Sequence, residues 1–201
     1  VMSTGLSRSI AAAVSLFVSV AFVSASNAAS PDGAYAAKGA GPHACELFVS
    51  EREKRSETYF RFLGWLEGYV SLYNKVTPDT TDVFSWQTTE LADFLLNNFC
   101  KANPQARFST AVETMLKALH PTRLRNTSEV VDIEGGTPPI QLYKDVMRRV
   151  QQSLTERGHY KGAIDGTYGP GTAAALKAFQ AASKIQETGL PDQITLLRLF
   201  Q

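Results

Sequence analysis

The sequence predicts an all-α protein, a disulfide-linked helical bundle followed by a three-helix module, and three observations lead there. Tyr59, Phe62, Leu63, Leu66, Tyr69, Val70 and Tyr73 recur at three- and four-residue steps, the spacing that places side chains on one face of a helix. Leu142, Val146, Val150 and Leu154 repeat that pattern near the other end. Between the two stripes, residues 120–140 lose helical periodicity and contain Gly135-Gly136 and Pro138-Pro139, the composition of a linker.

Taken from the start, Arg8 precedes an apolar run from Ile10 to Val23 and then the small residues Ser24 to Ala29. A positive flank, an apolar stretch and small residues behind it read as a signal peptide over residues 1–28. The run is shorter than the roughly 20 apolar residues of a membrane-spanning helix, so no stable span is expected after cleavage; an uncleaved anchor is the alternative. Residues 29–42 are small and polar and read as a disordered segment.

Residues 43–119 read as helical throughout. A short helix carries Cys45, Phe48 and Val49, the stripe from Tyr59 follows, and Leu91, Phe94 and Leu95 begin a third helix. Phe108, Ala111, Val112, Met115, Leu116 and Leu119 form a fourth, with Asn103-Pro104 predicted to start it as cap and first helical residue. Export makes Cys45 and Cys100, the sole cysteines, candidates for a disulfide, with two buried thiols as the alternative. Gly64 and Gly68 interrupt the strongest stripe. Close helix packing beside Trp65 and Tyr69 would explain them, and a groove for a ligand or partner helix is the other reading. Within 120–140, Val130, Val131 and Ile133 leave open a short extended segment instead of a free linker.

In residues 141–201, Gly158 marks the end of the first helix, Asp165-Gly166 a turn, and Gly169-Pro170 the start of the second helix. Thr172, Ala175, Leu176 and Phe179 share its face, and Leu196, Leu197 and Leu199 close the core from a third.

The order Gly158-His159-Tyr160, Asp165-Gly166, Gly169-Pro170-Gly171-Thr172, Phe179-Gln180 and Gly189 resembles the peptidoglycan-binding repeat, a small module found at the ends of bacterial wall proteins. The resemblance covers about Tyr143 to Phe200 and departs where residues 184–188 replace the family's approach to Gly189. It implies peptidoglycan as the ligand. Within residues 43–119, Cys45 to Leu119 is similar to HdeA-type periplasmic helical proteins, through Cys45-x-x-Phe48, Gly64-Trp65-x-x-Gly68-Tyr69, Asn74, Asp79 or Asp82, Cys100, Asn103-Pro104 and Phe108. Relatives of that fold include acid-stress chaperones and the immunity proteins of type VI secretion amidase effectors, which implies a periplasmic protein as a possible second partner.

Candidate wall contacts are Arg157, Tyr160, Asp165, Tyr168, Thr172, Gln180 and Lys184. Aromatic rings stack on sugar faces, and Gln, Arg and Lys donate to peptide carbonyls and carboxylates. Turns, caps and burial are the competing explanation for Asp165 and Thr172, and solvated surface for the others. Net charge is +1, with the carboxy-terminal part leaning basic and the helical part slightly acidic, far from a nucleic-acid-binding patch.

No catalytic, metal or cofactor site is expected. His43, His120 and His159 are scattered with no ligand spacing, neither cysteine has the setting of a nucleophile, and the glutamates read as exposed helix residues. The expected function is that of a secreted or periplasmic, non-catalytic peptidoglycan-binding protein that places a protein-binding helical domain at the bacterial wall. The alternative puts the main activity in the helical domain, as a chaperone or immunity-type binder.

Overall fold

A computed structural model describes residues 30 and 34–201, of which residues 37–201 form one compact unit. The segment expected to be a signal peptide lies outside the described residues. Seven α-helices and one two-stranded sheet are present among them. The helices are α1 (Cys45–Lys54), α2 (Glu57–Val76), α3 (Thr89–Ala102), α4 (Phe108–Leu119), α5 (Lys144–Glu156), α6 (Pro170–Ala182) and α7 (Gln193–Leu199). The strands are β1 (Val130–Ile133) and β2 (Ile140–Tyr143).

Helices α1 to α4 enclose a first core. The α2 stripe delivers Phe62, Leu66 and Val70 to it, against Phe48, Leu96, Phe108, Val112 and Leu116. Three rings meet at its centre: the Phe48 and Phe62 ring centroids lie 5.4 Å apart, and those of Phe48 and Phe62 lie 4.9 and 4.7 Å from that of Phe108. Burial of such rings contributes more than their area alone, through edge and tilted contacts. Cys45 at the start of α1 is bonded to Cys100 near the end of α3, and both are fully buried.

Asn103-Pro104 does not start α4. Asn103 instead ends α3, where its side-chain amide donates to the Phe99 carbonyl (2.9 Å), and α4 begins at Phe108. The intervening loop serves α1: the Cys45 N–H donates to Ala106 O (2.8 Å) and the Glu46 N–H to Pro104 O (2.9 Å). Reciprocally, the Phe108 and Ser109 N–H groups donate to the carbonyls of His43 and Gly41, both at 2.9 Å. Each loop thus satisfies the orphan donors of the other helix, which no reading of one segment at a time reveals. This pairing also anchors the end of the 29–42 segment expected to be disordered: Ala40 is buried, and a Cβ on Gly41 would come within 2.4 Å of the Trp65 ring.

Close packing does not explain the α2 glycines. A methyl group at Gly64 or Gly68 would meet no atom within 4 Å, and both face outward.

Residues 120–140 are not a free connection. Leu124 exchanges hydrogen bonds with Asp82, and β1 pairs antiparallel with β2 in the register Val130 to Tyr143 and Ile133 to Ile140. Ile133 and Leu142 are buried in a second core. The apolar residues of β1 thereby outweigh a composition that reads as linker, and the Gly and Pro residues make the hairpin turn. Chain leaving β2 enters α5 directly, where the Ser128 hydroxyl accepts from the Asp145 N–H (3.1 Å) and Glu129 O from the Lys144 N–H (2.7 Å).

The second core contains Val146, Met147, Val150 and Leu154 of α5, Leu176 and Phe179 of α6, and Leu196 and Leu199 of α7. It also takes Trp86 and Leu91 from the amino-terminal half. Helix α3 is therefore two-faced: Ala92, Leu96 and Cys100 enter the first core while Leu91 and Leu95 pack on the second. Phe94, predicted to share the buried stripe, is exposed. The halves are further tied by Gln193, whose amide donates to Trp86 O (2.7 Å) and accepts from the Thr88 N–H (3.0 Å).

Candidate functional site

The α5–α7 module is organised around two buried carboxamides. Gln151 on α5 and Gln180 on α6 are both fully buried, a costly position for an amide unless every polar atom is satisfied. The Gln151 oxygen accepts from the Gly166 N–H (2.8 Å), and its nitrogen donates to Asp165 Oδ1 (2.9 Å) and Thr167 O (3.0 Å). Gln180 repeats the arrangement one helix later. Its oxygen accepts from the Gly189 N–H (2.7 Å), and its nitrogen donates to Thr195 Oγ1 (2.8 Å), Thr188 Oγ1 (2.9 Å) and Leu190 O (3.0 Å).

Each hub therefore holds the loop that leads into the next helix. Both loop glycines have positive φ, +79° at Gly166 and +72° at Gly189. At Gly166 the requirement is double, because a Cβ would also lie 2.7 Å from the Lys144 carbonyl oxygen. At the start of each following helix a buried threonine, Thr172 in α6 or Thr195 in α7, stands at the same distance after the glycine and bonds to the hub amide. The repeat is visible in the sequence as Gly166 to Thr172 against Gly189 to Thr195, a signal that reading the motifs singly passes over.

The candidate wall contacts divide by burial. Thr172 is 2% exposed and Gln180 is fully buried, and their polar atoms serve the loops, so both hold the module together from inside. Asp165 is exposed and caps its own turn, accepting from Gln151 and from the Thr167 N–H (2.8 Å). Those bonds, the Gln151 one foremost, lower its pKa from the ordinary 3.8 to about 2. The Tyr160 hydroxyl donates to Ala163 O (2.9 Å), and the Tyr168 hydroxyl to Gly189 O (3.0 Å), which links the two hub loops. Burial raises the Tyr168 pKa. Arg157 donates to Leu199 O (3.0 Å) with its guanidinium 5.7 Å from the Phe179 ring centre. Lys184 is exposed beyond the end of α6, at φ +55°. The structure thus gathers Tyr160, Asp165 and Tyr168 around the hub loops, and no hydrogen bond or ion pair joins Lys184 to them among the described residues.

A cleft of about 850 Å³ runs between the 84–90 loop, the β1–β2 hairpin and the α6–α7 connection. Phe84, Trp86, Pro138, Pro139, Tyr143 and Leu190 give it apolar walls, with Gln87, Glu90, Asp192 and Gln193 supplying polar groups. Its walls come from three separated stretches of chain, so no local pattern announces it. Among the described residues no group of three or more His, Cys, Asp or Glu side chains is placed to hold a metal ion, and no helix is long and apolar enough to cross a membrane.

No curated protein and no solved structure matches the chain. Residues 144–199, which span α5 to α7 and both glutamine hubs, match the model of the family described as "Putative peptidoglycan binding domain".

Proposed function

We propose that this is a non-catalytic peptidoglycan-binding protein of the bacterial envelope, periplasmic or secreted, in which the α5–α7 module holds wall polymer and positions α1–α4 beside it. The observation that carries the reading is the family match over residues 144–199 on a module whose loops are fixed by two satisfied hubs. A rigid, preorganised surface loses little freedom when it binds. Arg157, Tyr160, Asp165, Tyr168 and Lys184 are the accessible contacts of that surface, the basic groups meeting peptide carboxylates and the rings meeting sugar. The disulfide suits an oxidising compartment outside the cytoplasm.

The test is retention on insoluble peptidoglycan. Full-length protein is expected to sediment with purified sacculi, and the double variant Arg157→Ala, Lys184→Ala to sediment several-fold less. Protein that stays wholly in the supernatant at low and moderate salt would sink the proposal. Removal of residues after Gly136 is a poor comparison, because Trp86, Leu91 and Ile133 would lose the core they pack in.

A second reading, that α1–α4 binds another protein in the manner of a chaperone or an immunity protein, draws on a separate observation. Phe60, Leu72 and Val76 are exposed along α2, with the bare surface of Gly64 and Gly68 between them, and Phe94 is exposed on α3. The likeness of residues 45–119 to HdeA-type proteins rests on sequence motifs. Co-purification of one defined envelope protein, abolished by Phe60→Ser with Leu72→Ser, supports this reading; recovery of the same protein with that variant removes it.

A further inference from the structure

We propose that the cleft between the 84–90 loop, the hairpin and the α6–α7 connection binds N-acetylated sugar units of the glycan strand. This rests on the wall-binding reading and names the part of the polymer that is recognised. Two of the three walls, residues 84–90 and the hairpin, lie outside the matched residues 144–199, so the site belongs to this chain's combination of parts.

Three properties of the cleft select an uncharged sugar amide. Its volume of about 850 Å³ falls in the range of small-ligand clefts, about 300–1,000 Å³. Its walls present aromatic and proline surface, which packs on the C–H faces of sugar rings and on acetyl methyl groups. No lysine or arginine lines it, and its charged side chains are Glu90 and Asp192, a poor setting for the carboxylates of stem peptides. Asp192 is also occupied, one oxygen accepting from the Thr195 N–H (2.8 Å) and the other from Thr188 Oγ1 (3.0 Å).

Two residues that line the cleft, Trp86 and Gln87, keep unspent side-chain donors. Gln87 is 7% exposed, yet only its oxygen is engaged, by the Trp86 main-chain N–H (3.3 Å). Trp86 is 9% exposed and its bonds are main-chain ones, to Gln87 and from Gln193. The Gln87 N–H₂ and the Trp86 indole N–H therefore have no protein acceptor among the described residues, and neither is sealed from solvent. An acetamido carbonyl and a ring hydroxyl are the acceptors such a pair would take.

The probe is the β-1,4-linked tetramer of N-acetylglucosamine, titrated calorimetrically into full-length protein, with sedimentation on sacculi measured in parallel. The variants Gln87→Leu and Trp86→Phe each delete a donor while keeping most of the packing, and their folding is checked by thermal unfolding. Binding of the tetramer, weakened about tenfold in either folded variant, is the expected result. Retention on sacculi without tetramer binding overturns the cleft assignment and leaves wall binding standing. Tetramer binding unchanged in a folded variant, or displacement by a sugar-free stem peptide, overturns it too. Loss of both sedimentation and tetramer binding overturns both readings.

Discussion

The two halves of the molecule hold their loops by opposite means. In α1–α4 a buried ring cluster and a covalent bond between Cys45 and Cys100 do most of the work, and the loops cap one another through backbone. In α5–α7 there is no cross-link, and each interhelical loop is fastened by one buried glutamine. The difference teaches where each half is vulnerable. Redox conditions should loosen the first and polar truncation the second, although Trp86 and Leu91 join them through a shared core.

The largest break in this comparison is expected from the disulfide. Cys45→Ser with Cys100→Ser opens a loop with a sequence separation of 55 residues and should lower stability by about 4 kcal/mol in the chain-entropy model. Denaturant unfolding with and without reductant measures it. An equal loss caused by reductant in the double variant would show that the cysteines are not the cause.

Next is Gln180→Ala, which leaves the Gly189 N–H and the Thr195 hydroxyl without their partner in the interior. A loss of about 3 kcal/mol is expected, since each unpaired buried group costs about 1–3 kcal/mol. Hydrogen exchange sharpens the point: the Gly189 amide should lose protection before amides of α2 do. Uniform loss across both halves would instead make the shared core the dominant link.

Gly64→Ala and Gly68→Ala carry the opposite sign. Each lies within α2 with open space around it, so each should stabilise by about 1 kcal/mol in thermal or denaturant unfolding. Destabilisation would mean that the face is filled by something the helix packs on.

The smallest effect concerns acid. Asp165 has its pKa depressed from 3.8 to about 2, so the stability it contributes is complete above the ordinary value and is lost as pH falls through about 2. Asp165→Asn should flatten the pH dependence of the unfolding midpoint between about pH 4 and pH 2 and leave it unaltered near neutrality. An unchanged acid limb would assign the dependence to other carboxylates.

How much was legible in advance follows the range of the interactions. The helices show through periodicity at α2 and α5, since one apolar face is a local property. Asn103-Pro104 misleads because a cap signal fits either end of a helix until the partner loop at residues 41–43 is known. The hairpin hides behind Gly and Pro because Ile133 is buried by helices from distant sequence. Thr172 and Gln180 read as possible ligand contacts because a polar residue in a helix says nothing of the loop that covers it. The cleft, assembled from three stretches, has no local signature at all.

Wall binding by residues 144–199 is the claim on which the functional account turns, and co-sedimentation of the oxidised full-length protein with purified sacculi tests it most directly. Saturable recovery in the pellet, reduced by prior digestion of the sacculi, is the predicted result. Recovery no greater than that of an unrelated exported protein, with the fold intact by circular dichroism, would contradict it.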